Sequence, residues 1–179
     1  MSSPIDVTRI EVRGQGVLSL IDAMALFREH AQKILDSHGL TVVDDKQWYP
    51  LKRVLDALHL IEEKIGPNTL KAVGRNIPGR VLLPPNITTV EQALGTLDVA
   101  YKMNHRSQGY TGSYGYLALA PRSGQIISDS PYPCSFDEGL LEGVSERFRP
   151  RDSIWLRIEH DGRGCRKNGA ASCTYRVTW

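Results

Sequence analysis

Residues 154–179 read IWLRIEHDGRGCRKNGAASCTYRVTW, and this stretch decides the fold class. Ile154, Leu156 and Ile158 alternate with Trp155, Arg157 and Glu159. After a glycine-rich loop, Cys173, Tyr175, Val177 and Trp179 alternate with Thr174, Arg176 and Thr178. Successive strand side chains point to opposite faces, so each run reads as a half-buried strand and the two as a hairpin. By the same parity His160 shares the face of Ile154, Leu156 and Ile158. It enters the inner space from one side of the loop while Cys173 enters from the other.

Upstream, residues 114–120 and 125–129 read as two more strands, joined by the turn Pro121-Arg122-Ser123-Gly124. Ser135 with Glu138 predicts a capping box opening a helix whose stripe is Phe136, Leu140, Leu141, Val144 and Phe148, ending at Pro150. The second half therefore spells β-β-α-β-β. The first half is helical in pattern. Val17 to about Ser37 carries Leu18, Ile21, Leu26, Ile34 and Leu35, and stops at Gly39. Pro50 opens a clearer helix through Leu51, Val54, Leu55, Leu58, Ile61 and Ile65, closed by Gly66-Pro67. A shorter helix follows through Leu70, Val73 and Ile77. Pro78, Gly79, Pro84 and Pro85 mark a connector. Thr88 with Glu91 predicts another capping box, opening one helix through Val90, Leu94, Leu97 and Tyr101 to about Asn104. The expected class is α+β: N-terminal helices (residues 1–87) packed on the antiparallel sheet of an 88–179 unit, within one compact domain.

Composition narrows the function. The chain has 179 residues, 41% hydrophobic and 23% charged, enough for a core without a staple. A net charge of +2, with basic residues interleaved among acidic ones, lacks the dense stripe of a nucleic-acid footprint. No signal peptide and no apolar run of membrane-spanning length is legible, so a cytoplasmic setting is expected. In a reducing compartment clustered cysteines more often hold metal than pair, and three is odd.

Cys134 falls at a helix N-terminus, where partial positive charge favours thiolate. Cys165 sits among three glycines, and Cys173 begins the last strand. With His160 these make three thiolates and an imidazole, a closed tetrahedral set for a structural zinc. Inert buried cysteines are the plainer alternative. For the fourth ligand an ordinary core histidine competes with His160, in which case Asp161 or water completes the shell.

Three segments, PYPCSFDEGLLEG, WLRIEHDGRGC and CRKNGAASCTYRVTW, resemble the 4-vinyl reductase domain, a family similar in fold to TRAPP vesicle-tethering subunits and heme NO-binding sensors. The likeness covers about the last third of the chain. The helices and the WYPL motif before it look like the N-terminal part of bacterial proteins that carry this domain, which extends a weaker likeness over most of the chain. The resemblance implies zinc held by three cysteines and an acidic residue. The last two cysteines are spaced as Cys165 and Cys173 are, but Gly162 stands where the acidic ligand is expected. That leaves His160, Asp161 and Glu159 for the fourth place. It also implies a pocket between helices and sheet, and a homodimer.

Trp48, Tyr101, His105, Tyr110, Tyr114 and Tyr116 concentrate the polar-aromatic supply such a pocket uses for a small hydrophobic or aromatic ligand. Heme is not expected, because the Tyr-x-Ser-x-Arg motif that grips its propionates in heme NO sensors is missing. There is no GxSxG elbow, phosphate loop or HExxH, so no enzyme is expected. The expected function is a small-molecule sensor with a structural zinc and a separate signalling partner. The alternatives are a TRAPP-type scaffold and an accessory protein of tetrapyrrole metabolism. A sensor requires an enclosed cavity between helices and sheet; a scaffold, a packed interior with a broad apolar surface patch.

Overall fold

The computed structural model describes residues 5–23, 28–40 and 42–179. Leu26, assigned to the first helix, lies outside them. The helices are α1 (Gly14–Ala23), α2 (Arg28–Ser37), α3 (Leu51–Lys64), α4 (Pro67–Asn76), α5 (Val90–Gly95), α6 (Leu97–Asn104) and α7 (Cys134–Arg147). The strands are β1 (Ile10–Arg13), β2 (Trp48–Pro50), β3 (His105–Ser107), β4 (Tyr114–Ala120), β5 (Ser123–Ser128), β6 (Arg157–His160) and β7 (Cys173–Thr178). The class is α+β, as the periodicities require.

The predicted β-β-α-β-β unit forms an antiparallel sheet in the order β4-β5-β7-β6. Its register opposes Ile126 to Tyr175, Ser128 to Cys173 and His160 to Tyr175. Cys173, Tyr175 and Val177 are fully buried, so β7 presents one apolar face inward. The other strand of the hairpin is shorter than its alternation suggests. β6 begins only at Arg157, which opposes Thr178, the last residue of β7; residues 154–156 have no partner strand, and Ile154 is 89% exposed.

α7 is the central helix. Beyond the predicted stripe it also buries Asp137, Gly139, Gly143 and Ser145, so it is enclosed on nearly all sides. Its glycines allow this. A Cβ on Gly139 or Gly143 would collide with the backbone carbonyl of Lys71 or Arg75 on α4. Side chains of the same pair close the outer seam, where Arg75 forks onto Glu146 at 2.9 and 2.5 Å.

Both predicted capping boxes settle differently. Pro133 caps α7 without a side-chain bond, and Ser135 Oγ instead donates to Glu62 at 2.9 Å. Upstream the box slips by one residue. Thr89 Oγ1 accepts from Gln92 N, and Gln92 Oε1 accepts from Thr88 N. The single helix expected over residues 90–104 is two, broken at Thr96 (φ −103°, ψ 4°).

A second antiparallel sheet, β2-β1-β3, escaped sequence reading because each strand has only three or four residues. It matters for the site. Val12 on β1 pairs with both Tyr49 and His105, fixing His105 at the junction of α6 and β3.

Candidate functional site

Two features lie on opposite sides of the segment Tyr132–Cys134. The first is the cysteine cluster. Cys134 is the first residue of α7, Cys165 caps a 3-10 turn (Arg166–Asn168), and Cys173 starts β7. Their sulfurs lie 3.4 Å (Cys134–Cys165), 3.4 Å (Cys134–Cys173) and 3.7 Å (Cys165–Cys173) apart, all buried. Zn–S bonds of ~2.3 Å place tetrahedral sulfurs roughly 3.8 Å apart, so the three thiols already stand at ligand spacing. His160 joins them: its candidate donor atom and the three sulfurs all lie within 4.8 Å of one another.

The loop is built to hold sulfur. Gly169 takes the left-handed conformation (φ +85°), returning the chain so that Asn168 N and Ala170 N both donate to Cys165 O at 2.8 and 3.2 Å. Backbone N–H groups then point at two sulfurs: Lys167 N at Cys165 Sγ (3.4 Å) and Arg166 N at Cys173 Sγ (3.3 Å). Arg166 Nε reaches Cys173 Sγ at 3.3 Å as well. Burial alone would raise the Cys173 thiol, but the Arg166 donors outweigh it and bring it down to about 6. Cys134 goes the other way. Burial first, then hydrogen bonds to the two other sulfurs, push it up to about 12. Unlike neighbours of this kind are expected of three thiols packed against one another, since like charges so close disfavour joint ionisation.

His160 stacks on Tyr175, with centroids 4.6 Å apart, and its Nδ1 lies 3.5 Å from Glu138 Oε1. Its Nε2 is buried without a partner. A carboxylate behind one nitrogen, with the ring also helping to hold the Cys173 thiol down, is compatible with a metal-ligating histidine. Asp161 turns its carboxylate to Arg163 N at 3.1 Å, and Glu159 pairs with Arg157 on the exposed side of β6. Of the three candidates for the fourth place, His160 is the one that faces the sulfurs.

The second feature is an apolar cavity of about 60 Å³ among α3, α6, α7 and β1. Val12, Val54 and Leu58 form one wall, Leu97 and Ala100 another, Phe136, Leu140 and Val144 of α7 a third. Of the aromatic residues singled out from sequence, Tyr101, His105 and Tyr114 line it. Trp48 sits apart on β2 under the Arg106 guanidinium, 4.7 Å from the ring centroid. Tyr110 is exposed and donates to Asp129 (2.7 Å), and Tyr116 covers Gly124 on the sheet.

His105 is the polar centre of the cavity wall. Its Nδ1 bonds Tyr101 O at 2.8 Å, its Nε2 bonds Tyr132 Oη at 2.7 Å, and its ring stacks on Tyr101 with centroids 4.0 Å apart. Burial lowers its pKa to about 4 against the backbone bond that raises it, so the imidazole is neutral at pH 7. Tyr132, missed by sequence reading, is therefore as much part of the wall as His105. Its spacing from His105 carries no periodic signal.

Behind Tyr132 lies a buried ionic network that was also illegible. Asp137, fully buried, accepts from Tyr114 Oη at 2.6 Å and Arg166 Nη2 at 2.7 Å, with Ser130 Oγ 3.2 Å away. Burial raises its carboxyl to about 6, opposed by Arg166 and the two hydroxyls.

No family model and no curated protein matches this chain. Solved structures do. An H-NOX protein from S. oneidensis in the Fe(II) ligation state superposes with a TM-score of 0.70 over 93% of this chain and 95% of that one, at 16% identity. An oxygen-binding H-NOX domain related to soluble guanylate cyclases gives 0.65 over 92% and 91%, at 19% identity. A structure probing the function of heme distortion in the H-NOX family gives 0.65 over 93% and 94%, also at 19%. The 4-vinyl reductase family finds no match of its own; the fold kinship with heme NO-binding sensors is what the comparisons support. They also overturn the expectation against heme, which rested on one missing motif, because structures that share the fold almost end to end concern heme redox potential and heme distortion. The chain has the fold of an H-NOX domain.

Proposed function

We propose that this chain is a small-molecule sensor domain whose cavity takes a heme-class cofactor at His105 and whose cysteine–histidine cluster holds a structural zinc. The observation that carries the reading is His105, a neutral imidazole enclosed in an otherwise apolar wall. Heme is a flat, largely apolar ring whose iron takes a nitrogen ligand and, when bound, supplies a site for a diatomic gas. This chain's residues supply apolar walls and one neutral imidazole, whose Nε2 would have to exchange its bond to Tyr132 Oη for the iron. An enclosed space of about 60 Å³ is far smaller than a macrocycle. Uptake therefore requires part of the wall to give way. No lysine or arginine lines the cavity among the described residues, and the tyrosine at His105 leads into Tyr132-Pro133-Cys134-Ser135-Phe136, without the propionate-gripping arginine.

Zinc at the cluster is supported by the sulfur spacing, the N–H donors aimed at two sulfurs and the approach of His160 to all three. Three thiolates, a neutral imidazole and Zn²⁺ sum to one negative charge, which Arg166 offsets from 3.3 Å. The ion would tie the β6–β7 hairpin to the start of α7 without an open position for catalysis. Three free cysteines suit a reducing compartment. Among the described residues no helix is long and apolar enough to cross a membrane.

The test is spectroscopic. Hemin added to the purified chain should give a saturable Soret band at one equivalent, and His105→Gln should abolish or strongly shift it. A featureless titration, identical in both proteins, removes the heme reading.

A further inference from the structure

The cavity and the cysteine cluster share structure in a way that neither site requires by itself. Tyr132 donates its hydroxyl to His105 on the cavity side, and two residues later Cys134 offers its sulfur to the cluster. A second connection runs through Arg166. Its Nη2 donates to Tyr132 O at 3.1 Å and to Asp137 Oδ2 at 2.7 Å, while its Nε donates to Cys173 Sγ at 3.3 Å. One half-buried guanidinium therefore grips the cavity wall, the central helix and the cluster together. Because its planar fork is rigid, a shift that improves one bond is felt by the other two.

We propose that Arg166 and Tyr132 couple the two sites, so that disturbing the His105–Tyr132 bond changes how tightly the cysteine cluster holds its cation. This rests on the zinc reading given above. The physical route is short. When His105 Nε2 is taken from Tyr132, the phenol loses its partner in an apolar wall and must reorient. Its carbonyl, held by Arg166, shifts with it, and the Nε donor that stabilises the Cys173 thiolate moves by the same rigid connection. A cation on the cluster acts in reverse. With a cation bound there, Cys173 Sγ would be a weaker acceptor for Arg166 Nε, and the guanidinium would lean more on Asp137 and Tyr132 O. Linkage makes the two effects equal in free energy. Nearby charges do not short-circuit the route: Lys167 is held by Glu62 at 2.8 Å, and Glu138 stands behind His160.

The test uses the full chain loaded with zinc, with no cavity ligand needed. The rate of zinc transfer to a chromophoric chelator is measured for wild type, Tyr132→Phe, Arg166→Lys and the double variant. Tyr132→Phe removes only the hydroxyl, which bonds His105 rather than a sulfur. Arg166→Lys keeps the charge beside Asp137, so the fold has its counter-ion, but lacks the three-way fork. The coupling predicts that Tyr132→Phe alters the release rate by on the order of fivefold or more, and that in the Arg166→Lys background the same change has less than a twofold effect. A merely structural role for Arg166 would leave the Tyr132→Phe effect equally large in both backgrounds. That result, or wild-type release unmoved by Tyr132→Phe, overturns the coupling alone. Failure of the wild-type chain to take up zinc at all overturns the coupling and the zinc reading together.

Discussion

His105→Gln is the most informative substitution for the cavity, because it removes a titrating ring while keeping a side-chain amide for Tyr101 O and Tyr132 Oη. The imidazole's pKa falls from 6.5 to about 4 on folding, chiefly through burial. The folded-state value lies below the unfolded one. Between about pH 6.5 and 4 the unfolded chain therefore binds the proton more readily, and stability drops as pH falls through that window. At about 1.4 kcal/mol per pK unit the full loss is about 3 kcal/mol, of which about 2 kcal/mol has gone by about pH 5. Asp137 works in the opposite sense. Its carboxyl rises from 3.8 to about 6 on folding, so its contribution is present below about 4 and fades as pH climbs through about 6. The two partly cancel in the wild-type profile, which makes the difference between proteins the useful quantity. Urea unfolding of both chains without heme, at pH 7 and about pH 5, should show wild type losing about 2 kcal/mol more than His105→Gln. Equal losses in the two proteins would refute the claim that His105 is a buried, neutral imidazole.

Further expectations follow from the packing and the cluster. Cys165→Ser should lose the zinc found by elemental analysis of the parent chain and lower its melting temperature by about 10 °C; unchanged stability in a zinc-free parent would count against the site. Gly139→Ala forces a Cβ into the Lys71 carbonyl across the α4–α7 contact and should cost on the order of 1–3 kcal/mol or more in urea unfolding. Leu141→Ala, which empties a fully buried position on the central helix, should cost about 2–5 kcal/mol by the same assay, with far-UV dichroism retained.

Much of this architecture was written in short-range pattern. Alternation at Cys173, Tyr175 and Val177 specified β7, and the Leu51–Ile65 stripe specified α3, because in both cases a half-buried element forces periodic side chains. Parity on two paired strands made the approach of His160 to Cys173 legible for a similar reason, whereas Cys134 and Cys165, at a helix start and in a loop, were expected there from cysteine chemistry and the family resemblance. What failed to show was set by long-range context. β1, β2 and β3 are too short to display a period. Ile154 alternates correctly but lacks a partner strand, so alternation alone overextended β6. Ser135 looked like a cap until Glu62, 73 residues away, claimed its hydroxyl. Tyr132 and Arg166 were invisible as functional residues. A tyrosine between prolines and an arginine in a polar loop look ordinary until the fold sets one against His105 and the other against Asp137.

Native mass spectrometry of the full chain, supplied with zinc and hemin, tests the two-site account most directly. Bound masses of one zinc ion and one heme per chain are predicted, zinc being lost in Cys165→Ser and heme in His105→Gln. A chain that stays at its bare polypeptide mass under those conditions contradicts it.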